Sequence, residues 1–286
     1  MDVAVVGSTN LDVVVTLARR PAPGETVLGD SYVEAAGGKG ANQAMAAARV
    51  GTTAFVGCVG RDAAGEVLVR ALHDAGARAR VARVDVPTGR AFIHVTPDGE
   101  NDIVVVPGAN SALDAAAVTR ALDDLRPSVV ATQLEISADA VTAAARWCER
   151  AGARFVLNAS PTRDLPPWLV ALADPLVVNA GEAAAILGTD EDADPARLAE
   201  ALLTRARSAV VTAGAGGAYV ADDGDVRHVP APPATARDTT GAGDAFAGTL
   251  AARLALGDHL VSGTSAAAAE ASHVVALSRD ERGHSS

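Results

Sequence analysis

Three features of the 286-residue sequence predict an α/β fold, with a mostly parallel central sheet flanked by helices and a small β-sheet lid. Short β-branched runs alternate with alanine-rich helical segments, which is the punctuation of βα units. Each of those helical segments is closed by a glycine, a common helix stop. Two β-rich inserts, at about 13–35 and 90–106, break the rhythm and supply the small sheet. The expected organisation is therefore one domain over 1–286, with a lid formed by the two inserts.

The elements follow in order. Val3–Val6 is a short apolar strand ending at Gly7. Asn42–Val50 reads as a helix stopped by Gly51, Thr53–Val59 as a strand, and Ala64–Ala75 as a helix stopped by Gly76. Val129–Leu134 is a strand, Ala138–Ala151 a helix stopped by Gly152, and Arg154–Asn158 a strand. Leu176–Asn179 leads as a strand into a helix over Glu182–Leu187, stopped by Gly188. Ala209–Thr212 is a strand, and Ala242–Leu256 a helix stopped by Gly257. In the first insert, Val13–Val15, Thr26–Leu28 and Tyr32–Glu34 read as extended. In the second, Ala91–Thr96 and Ile103–Val106 form a hairpin around a turn at Pro97-Asp98-Gly99.

Composition narrows the function. Acidic residues outnumber basic ones 35 to 24, for a net charge of −11 and a pI near 4.9. Nonspecific binding to nucleic acid or an anionic membrane calls for a basic face, so neither partner is expected. The amino terminus has no basic leader, and no apolar run approaches the ~18–20 residues of a membrane span, which points to a soluble, cytoplasmic protein. Cys58 and Cys148 lie far apart in apolar stretches and read as buried structural thiols. The six histidines show no metal-ligand spacing. Lys39 is the only lysine; every other basic residue is arginine.

Five small-residue loops hold the candidate chemistry. Asp238-Thr239-Thr240-Gly241-Ala242-Gly243-Asp244 runs into a helix, so several backbone N–H groups can converge at its positive end as an anion site, and Gly241 and Gly243 let the backbone approach an oxyanion closely. Asp244 in the first turn is either a base for a hydroxyl attacking a phosphoryl group or a carboxylate favoured by the helix dipole. Gly37-Gly38-Lys39-Gly40-Ala41-Asn42-Gln43-Ala44 is no Walker A loop, because Gly40 follows the lysine where Ser or Thr would stand. Its spacing also fails the dinucleotide fingerprint. It suits donation to sugar hydroxyls or phosphate, or else it is a flexible loop and helix cap. Gly7-Ser8-Thr9-Asn10-Leu11-Asp12 follows the first strand, where α/β sheets bind ligands. Asn10 and Asp12 there read vicinal hydroxyls or simply form a turn. Asn179-Ala180-Gly181-Glu182 places a carboxylate either near magnesium-bound waters or in a plain early-helix position. Thr212-Ala213-Gly214-Ala215-Gly216-Gly217 suits the edge of a nucleotide.

In order and spacing, these motifs resemble the ribokinase-like, or PfkB, family of carbohydrate kinases from Val3 to about Ala269. The resemblance implies an ATP-dependent kinase acting on the primary (5-) hydroxyl of D-ribose, with magnesium and potassium as cofactors and a homodimer formed through the lid. It places Asn10, Asp12, Gly38, Lys39, Asn42 and Glu135 around the sugar and makes Asp244 the base. Gly241, Ala242 and Gly243 form the anion hole, and Asn179 and Glu182 serve the magnesium–phosphate region. Thr212, Gly214 and Gly217, with Gly243, line the nucleotide. Asp238 and the carbonyl of Thr240 match positions that hold a monovalent cation. Two departures stand out. Thr249 replaces a smaller residue, and the tail Ser278–Ser286 lacks the family's last loop and helix, with Arg282, Gly283, Ser285 and Ser286 as the only remnant. The alternatives are a kinase for another pentose, deoxyribose or a nucleoside, or a sugar-binding protein of weak activity.

Overall fold

A strand covered on both faces must be apolar along its whole length, and Val3–Val6 and Thr53–Gly60 meet that condition with every residue buried. The computed structural model describes residues 1–97, 101–190 and 192–277. In chain order its elements are β1 (Val3–Val6), β2 (Asn10–Thr16), β3 (Ser31–Gly37), α1 (Lys39–Ala48), β4 (Thr53–Gly60), α2 (Ala63–Asp74), β5 (Arg78–Val84), β6 (Arg90–Val95) and β7 (Asn101–Val106). Then come α3 (Ala115–Leu125), β8 (Val129–Thr132), α4 (Ala138–Ala151), β9 (Arg154–Asn158), α5 (Pro167–Ala171), β10 (Leu176–Asn179), α6 (Ala180–Leu187) and α7 (Pro195–Leu202). The chain continues with β11 (Ala209–Thr212), β12 (Ala218–Asp222), β13 (Asp225–Val229), α8 (Ala242–Ala255) and α9 (Leu260–Ala276).

The main sheet has nine strands in the order β13-β12-β11-β10-β9-β8-β1-β4-β5. It is parallel from β11 to β5, and β12 and β13 add an antiparallel edge. Alternation along β1 sends Ala4 and Val6 into the core on one face, which also holds Leu122, Trp147 and Ala184, and Val3 and Val5 into the core on the other, which holds Ala44, Phe246 and Leu250. The second sheet has the strand order β3-β2-β6-β7. Cys58 and Cys148 are both buried thiols, and burial pushes the Cys148 thiol up to about 12.

Several expectations need correction. Thr26–Leu28 forms no strand; it lies in a loop in which Leu28 is exposed, because no neighbouring strand pairs with it. Asn10 and Asp12 sit on β2 rather than in a turn, since the chain enters a strand paired with β3 at Asn10. The first helix begins at Lys39 rather than Asn42, and the strand before Gln133 ends at Thr132. Of the turn at Pro97-Asp98-Gly99, the last two residues lie outside the described residues, as do Arg282, Gly283, Ser285 and Ser286. Among the described residues no helix is long and apolar enough to cross a membrane.

One contact between α1 and α8 sets the geometry of the cleft. Gly248 packs directly on the backbone carbonyl of Gln43, and a Cβ there would collide with it. Alanine has the higher helix propensity, yet overlap with backbone cannot relax by turning a side chain. Gly248→Ala is expected to destabilise the fold by about 1–3 kcal/mol, read as a lower denaturant midpoint with an unchanged slope. An unchanged or raised midpoint would show that the two helices have room to spare.

Candidate active site

The site lies beyond the carboxyl ends of the parallel strands, where an α/β sheet leaves loops and helix N-termini free to meet a ligand. Its parts follow the strand order: residues 7–10 after β1, Glu135 after β8, Asn158 at the end of β9, Asn179 at the end of β10 and Thr212 at the end of β11.

The Gly37–Ala44 segment is anchored by close backbone approaches. Gly38 caps α1 with φ 90° and lies against the backbone of Thr9 and Asn10, where a Cβ would come within 2.8 Å of the Asn10 nitrogen. Gly40 packs on the backbone of Gly7 and Ser8, within 2.6 Å of where its own Cβ would stand. Ser8 joins the pieces. Its hydroxyl donates to Glu135 Oε2 at 2.6 Å and accepts from the Gly40 N–H at 3.3 Å, while the Lys39 N–H donates to the same Glu135 oxygen at 3.1 Å. Glu135 is thus tied to the start of α1.

Asp244 occupies the first turn of α8. Its helix is capped by Gly241 at φ 75°, with no side-chain cap on the leading N–H groups. The carboxylate is only 7% exposed. Asn42 Nδ2 donates to Oδ2 at 3.1 Å and Gln43 Nε2 donates to Oδ1 at 3.2 Å. Burial pushes the Asp244 carboxyl above its ordinary value; the Lys39 charge and the two amide hydrogen bonds pull it back, and Glu135 adds to the rise. This one cluster brings together Lys39, Asn42, Glu135 and Asp244 from three separate stretches of sequence.

The remaining candidates fall into two groups. Asn10 is buried, and its Oδ1 accepts from Asn110 Nδ2 at 2.7 Å, so the Asn10 side chain is held in place from behind. Asp12, two residues on, shares its strand face, opposite Ala35 and Ala91. Asn179 and Glu182 form a reciprocal capping box: the Glu182 N–H donates to Asn179 Oδ1 at 2.8 Å and the Asn179 N–H to Glu182 Oε2 at 2.9 Å. Asn179 pairs in register with Thr212, whose loop turns through Gly214 and Gly217. Asp238 Oδ1 accepts from the Thr240 N–H at 2.8 Å, and this loop is tied to the end of α9 through the Val275 carbonyl.

Reading the sequence missed Asn110, Gln133 and Asn158 and left Gln43 without a role. Gln133 directly follows β8 and Asn158 ends β9, positions at which a buried amide needs a reason. Asn110, also buried, makes two further bonds with the backbone of Thr9. A cavity of about 610 Å³ lined by Arg163, Asp164 and Arg205 contains none of the residues of this cluster.

The sequence matches the family described as "pfkB family carbohydrate kinase" over residues 1–281. It is 36% identical over 262 residues to the bifunctional ribokinase/ribose-5-phosphate isomerase A of Fructilactobacillus sanfranciscensis, covering 88% of this chain and 48% of that protein. The chain therefore spans about half the length of that relative. It is 35% identical over 251 residues to the ribokinase of Haemophilus influenzae, covering 85% of this chain and 82% of that one. Among solved structures, Arabidopsis thaliana ribokinase complexed with ribose and ATP superimposes with a TM-score of 0.85 at 29% identity, covering 96% of this chain and 93% of that one.

The buried carboxylate has a consequence for stability. The unfolded chain loses this proton near pH 4, whereas the folded chain retains it to higher pH because burial raises the carboxyl. Between those two values the folded state binds more protons, so stability falls as pH rises. Asp244→Asn removes that penalty. Its melting temperature relative to the parent is expected to climb as pH rises above about 4. A flat or falling difference would mean that Lys39 and the amide donors more than offset burial.

Proposed function

The chain belongs to the pfkB family of carbohydrate kinases, and from that premise we propose that it transfers the γ-phosphoryl group of ATP to the primary 5-hydroxyl of D-ribose, with Asp244 as general base. The observation that carries this reading is the Asp244 carboxylate, held by Asn42 and Gln43 at the start of α8 beside N–H groups with no side-chain cap. A raised carboxyl is a better proton acceptor than an ordinary one. The N–H groups of Gly241, Ala242 and Gly243 directly precede Asp244 in the same turn, suited to the charge on a transferring phosphoryl group. A base and an anion site on one helix turn is what in-line phosphoryl transfer asks of a protein, since positioning and charge stabilisation supply most of the rate.

Asn10, Asp12, Gly38, Lys39, Asn42 and Glu135 surround the sugar in this reading. Asn110 fixes which way the Asn10 amide points: Oδ1 is taken, so the Nδ2 donor is offered to a hydroxyl oxygen. Asn179 and Glu182 stand toward the magnesium–phosphate region, and Thr212, Gly214 and Gly217 toward the nucleotide. The Glu182 carboxylate fits, because hard oxygen donors suit magnesium and its second oxygen is not needed by the capping box. Magnesium, when bound with ATP, neutralises phosphate charge. Asp238 and the Thr240 carbonyl are likewise all-oxygen donors of the kind that suits potassium. The names of the relatives, ribokinase in both curated proteins and a ribose and ATP complex among the structures, support ribose over other pentoses.

Two measurements test the reading. The first is ADP release with magnesium-ATP across sugars and nucleosides led by D-ribose, in potassium or in tetramethylammonium. Ribose-dependent turnover is expected, stimulated by potassium, with Asp244→Asn lowering kcat by roughly 10²–10⁴. Higher kcat/KM for deoxyribose or a nucleoside would transfer the assignment to that substrate. Binding of ribose without ADP would make the chain a sugar-binding protein, and turnover surviving in Asp244→Asn would remove the base.

The second concerns assembly. The small sheet exposes Tyr32, Phe92, Val104 and Val106 on its outer face, an apolar patch that suits a second copy of the same sheet. We infer a homodimer through this sheet. Sedimentation is expected to give a dimer that Phe92→Asp/Val104→Asp converts to a monomer, and a monomeric parent would refute the inference.

A further inference from the structure

We propose that Gln43 is a positioning residue, holding the Asp244 carboxylate in one orientation through a row of buried amides whose direction is dictated by the backbone carbonyl of Val177. The proposal rests on the reading of Asp244 as general base.

The row starts on β10. Asn158 Nδ2 donates to the Val177 carbonyl at 3.1 Å. A carbonyl only accepts, so the Asn158 nitrogen must face β10 and its Oδ1 must face Gln43. Gln43 Nε2 donates to that oxygen at 3.0 Å and to Asp244 Oδ1 at 3.2 Å. Its own Oε1 accepts from Gln133 Nε2 at 2.9 Å. Reversing the Gln43 amide would set an oxygen against two oxygens and an NH2 group against another NH2 group, all in a site where Gln43 and Gln133 are fully buried. Each amide therefore fixes the next, and the last donated hydrogen ends on Asp244.

This arrangement divides the work between the carboxylate oxygens. Oδ1 is tied to the buried row, and Oδ2 to the half-buried Asn42 on the cleft side. The oxygen nearer the cleft is thereby the one that takes a proton. The charged groups that act on Asp244 are Lys39 of α1 and Glu135 after β8, of opposite effect; the two side chains that hydrogen-bond it, Asn42 and Gln43 of α1, are neutral amides. Within this set, Gln43 donates to the carboxylate from the buried side while adding no charge.

Gln43→Met keeps the length of the side chain and removes the donor. Its kcat for sugar phosphorylation is expected to fall about 10- to 100-fold, the size of one charge-assisted hydrogen bond, while KM for the sugar stays in place. The acidic limb of kcat/KM against pH should move up by about one to two units. The carboxyl 13C resonance of Asp244, assigned by its loss in Asp244→Asn, should titrate higher by the same amount. If Gln43→Met does not fold, Gln133→Met carries the test: it leaves both donors on Asp244 and frees the Gln43 amide to turn, so both shifts keep their sign at smaller size. A folded variant with unmoved kcat, acidic limb and 13C titration overturns the proposal, as does a loss of kcat with the limb fixed. A parent chain inactive on every sugar would instead sink the kinase reading, while the 13C titration would still decide the role of Gln43.

Discussion

A carboxylate buried at a helix N-terminus has to be compensated on every side, and the arrangement around Asp244 follows from that requirement. Ionised and unpaired, it would destabilise the fold by more than most single side chains contribute. The first turn of α8 offers dipole and N–H groups, Asn42 and Gln43 offer hydrogen bonds, and Lys39 offers charge. Three of those four come from α1, so α1 must lie tight against α8. That is why glycine stands at 248, where any side chain would strike the Gln43 carbonyl. It is also why glycine stands at 40, where α1 begins against Gly7 and Ser8. The glycines of the two motifs thus differ in kind: Gly40 and Gly248 set the distance between elements, whereas Gly241 and Gly243 leave a helix end open.

The sheet supplies the other constraint. Right-handed parallel crossovers deliver every βα loop to the same edge, so residues far apart in sequence arrive side by side in strand order. Asn158 on β9 reaches the β10 backbone at Val177, and Asn179 on β10 lies in register with Thr212 on β11. The capping box at Asn179 and Glu182 illustrates an economy of residues. The pair that starts α6 sits at the carboxyl end of β10, so one reciprocal cap fixes both the helix start and the place of the Glu182 carboxylate at this edge.

Much of this was legible because buried parallel strands and glycine-stopped helices leave strong local marks. Val3–Val6 and residues 176–178 and 209–211 are unbroken apolar runs, and Gly152 and Gly188 end their helices in the left-handed conformation. The misses share a physical cause. β5 reads Arg78-Ala-Arg-Val-Ala-Arg-Val84, an edge strand whose alternating arginines resemble a surface segment. β12 and β13 form a hairpin at the opposite edge, and α9 is an alanine-rich helix without a strong cap, so neither has a sharp boundary. Thr26–Leu28 has strand composition but no partner strand, and composition alone does not make a ladder. At the site, the loops announced themselves through small residues. The amides behind them did not, because single polar residues at strand ends gain meaning only once neighbouring strands are known.

The small sheet carries the argument one step further. Only three residues separate β1 from β2, so Asn10 and Asp12 are residues of the sheet itself rather than of a loop beneath it. Side chains on a strand alternate with period two, and a slip of one residue against β3 or β6 would turn both away from the cleft together. The root of the strand is therefore where precision is needed, and it is where the packing is tightest. Asn110 clasps the backbone of Thr9 and the side chain of Asn10, and Gly37 leaves room for the Asp12 carboxylate that any Cβ would occupy. Farther out, Val104 and Val106 of β7 stand exposed. The sheet is closely packed and hydrogen-bonded where it meets the cleft and bare where it meets solvent, so the two ends of one element meet different physical demands.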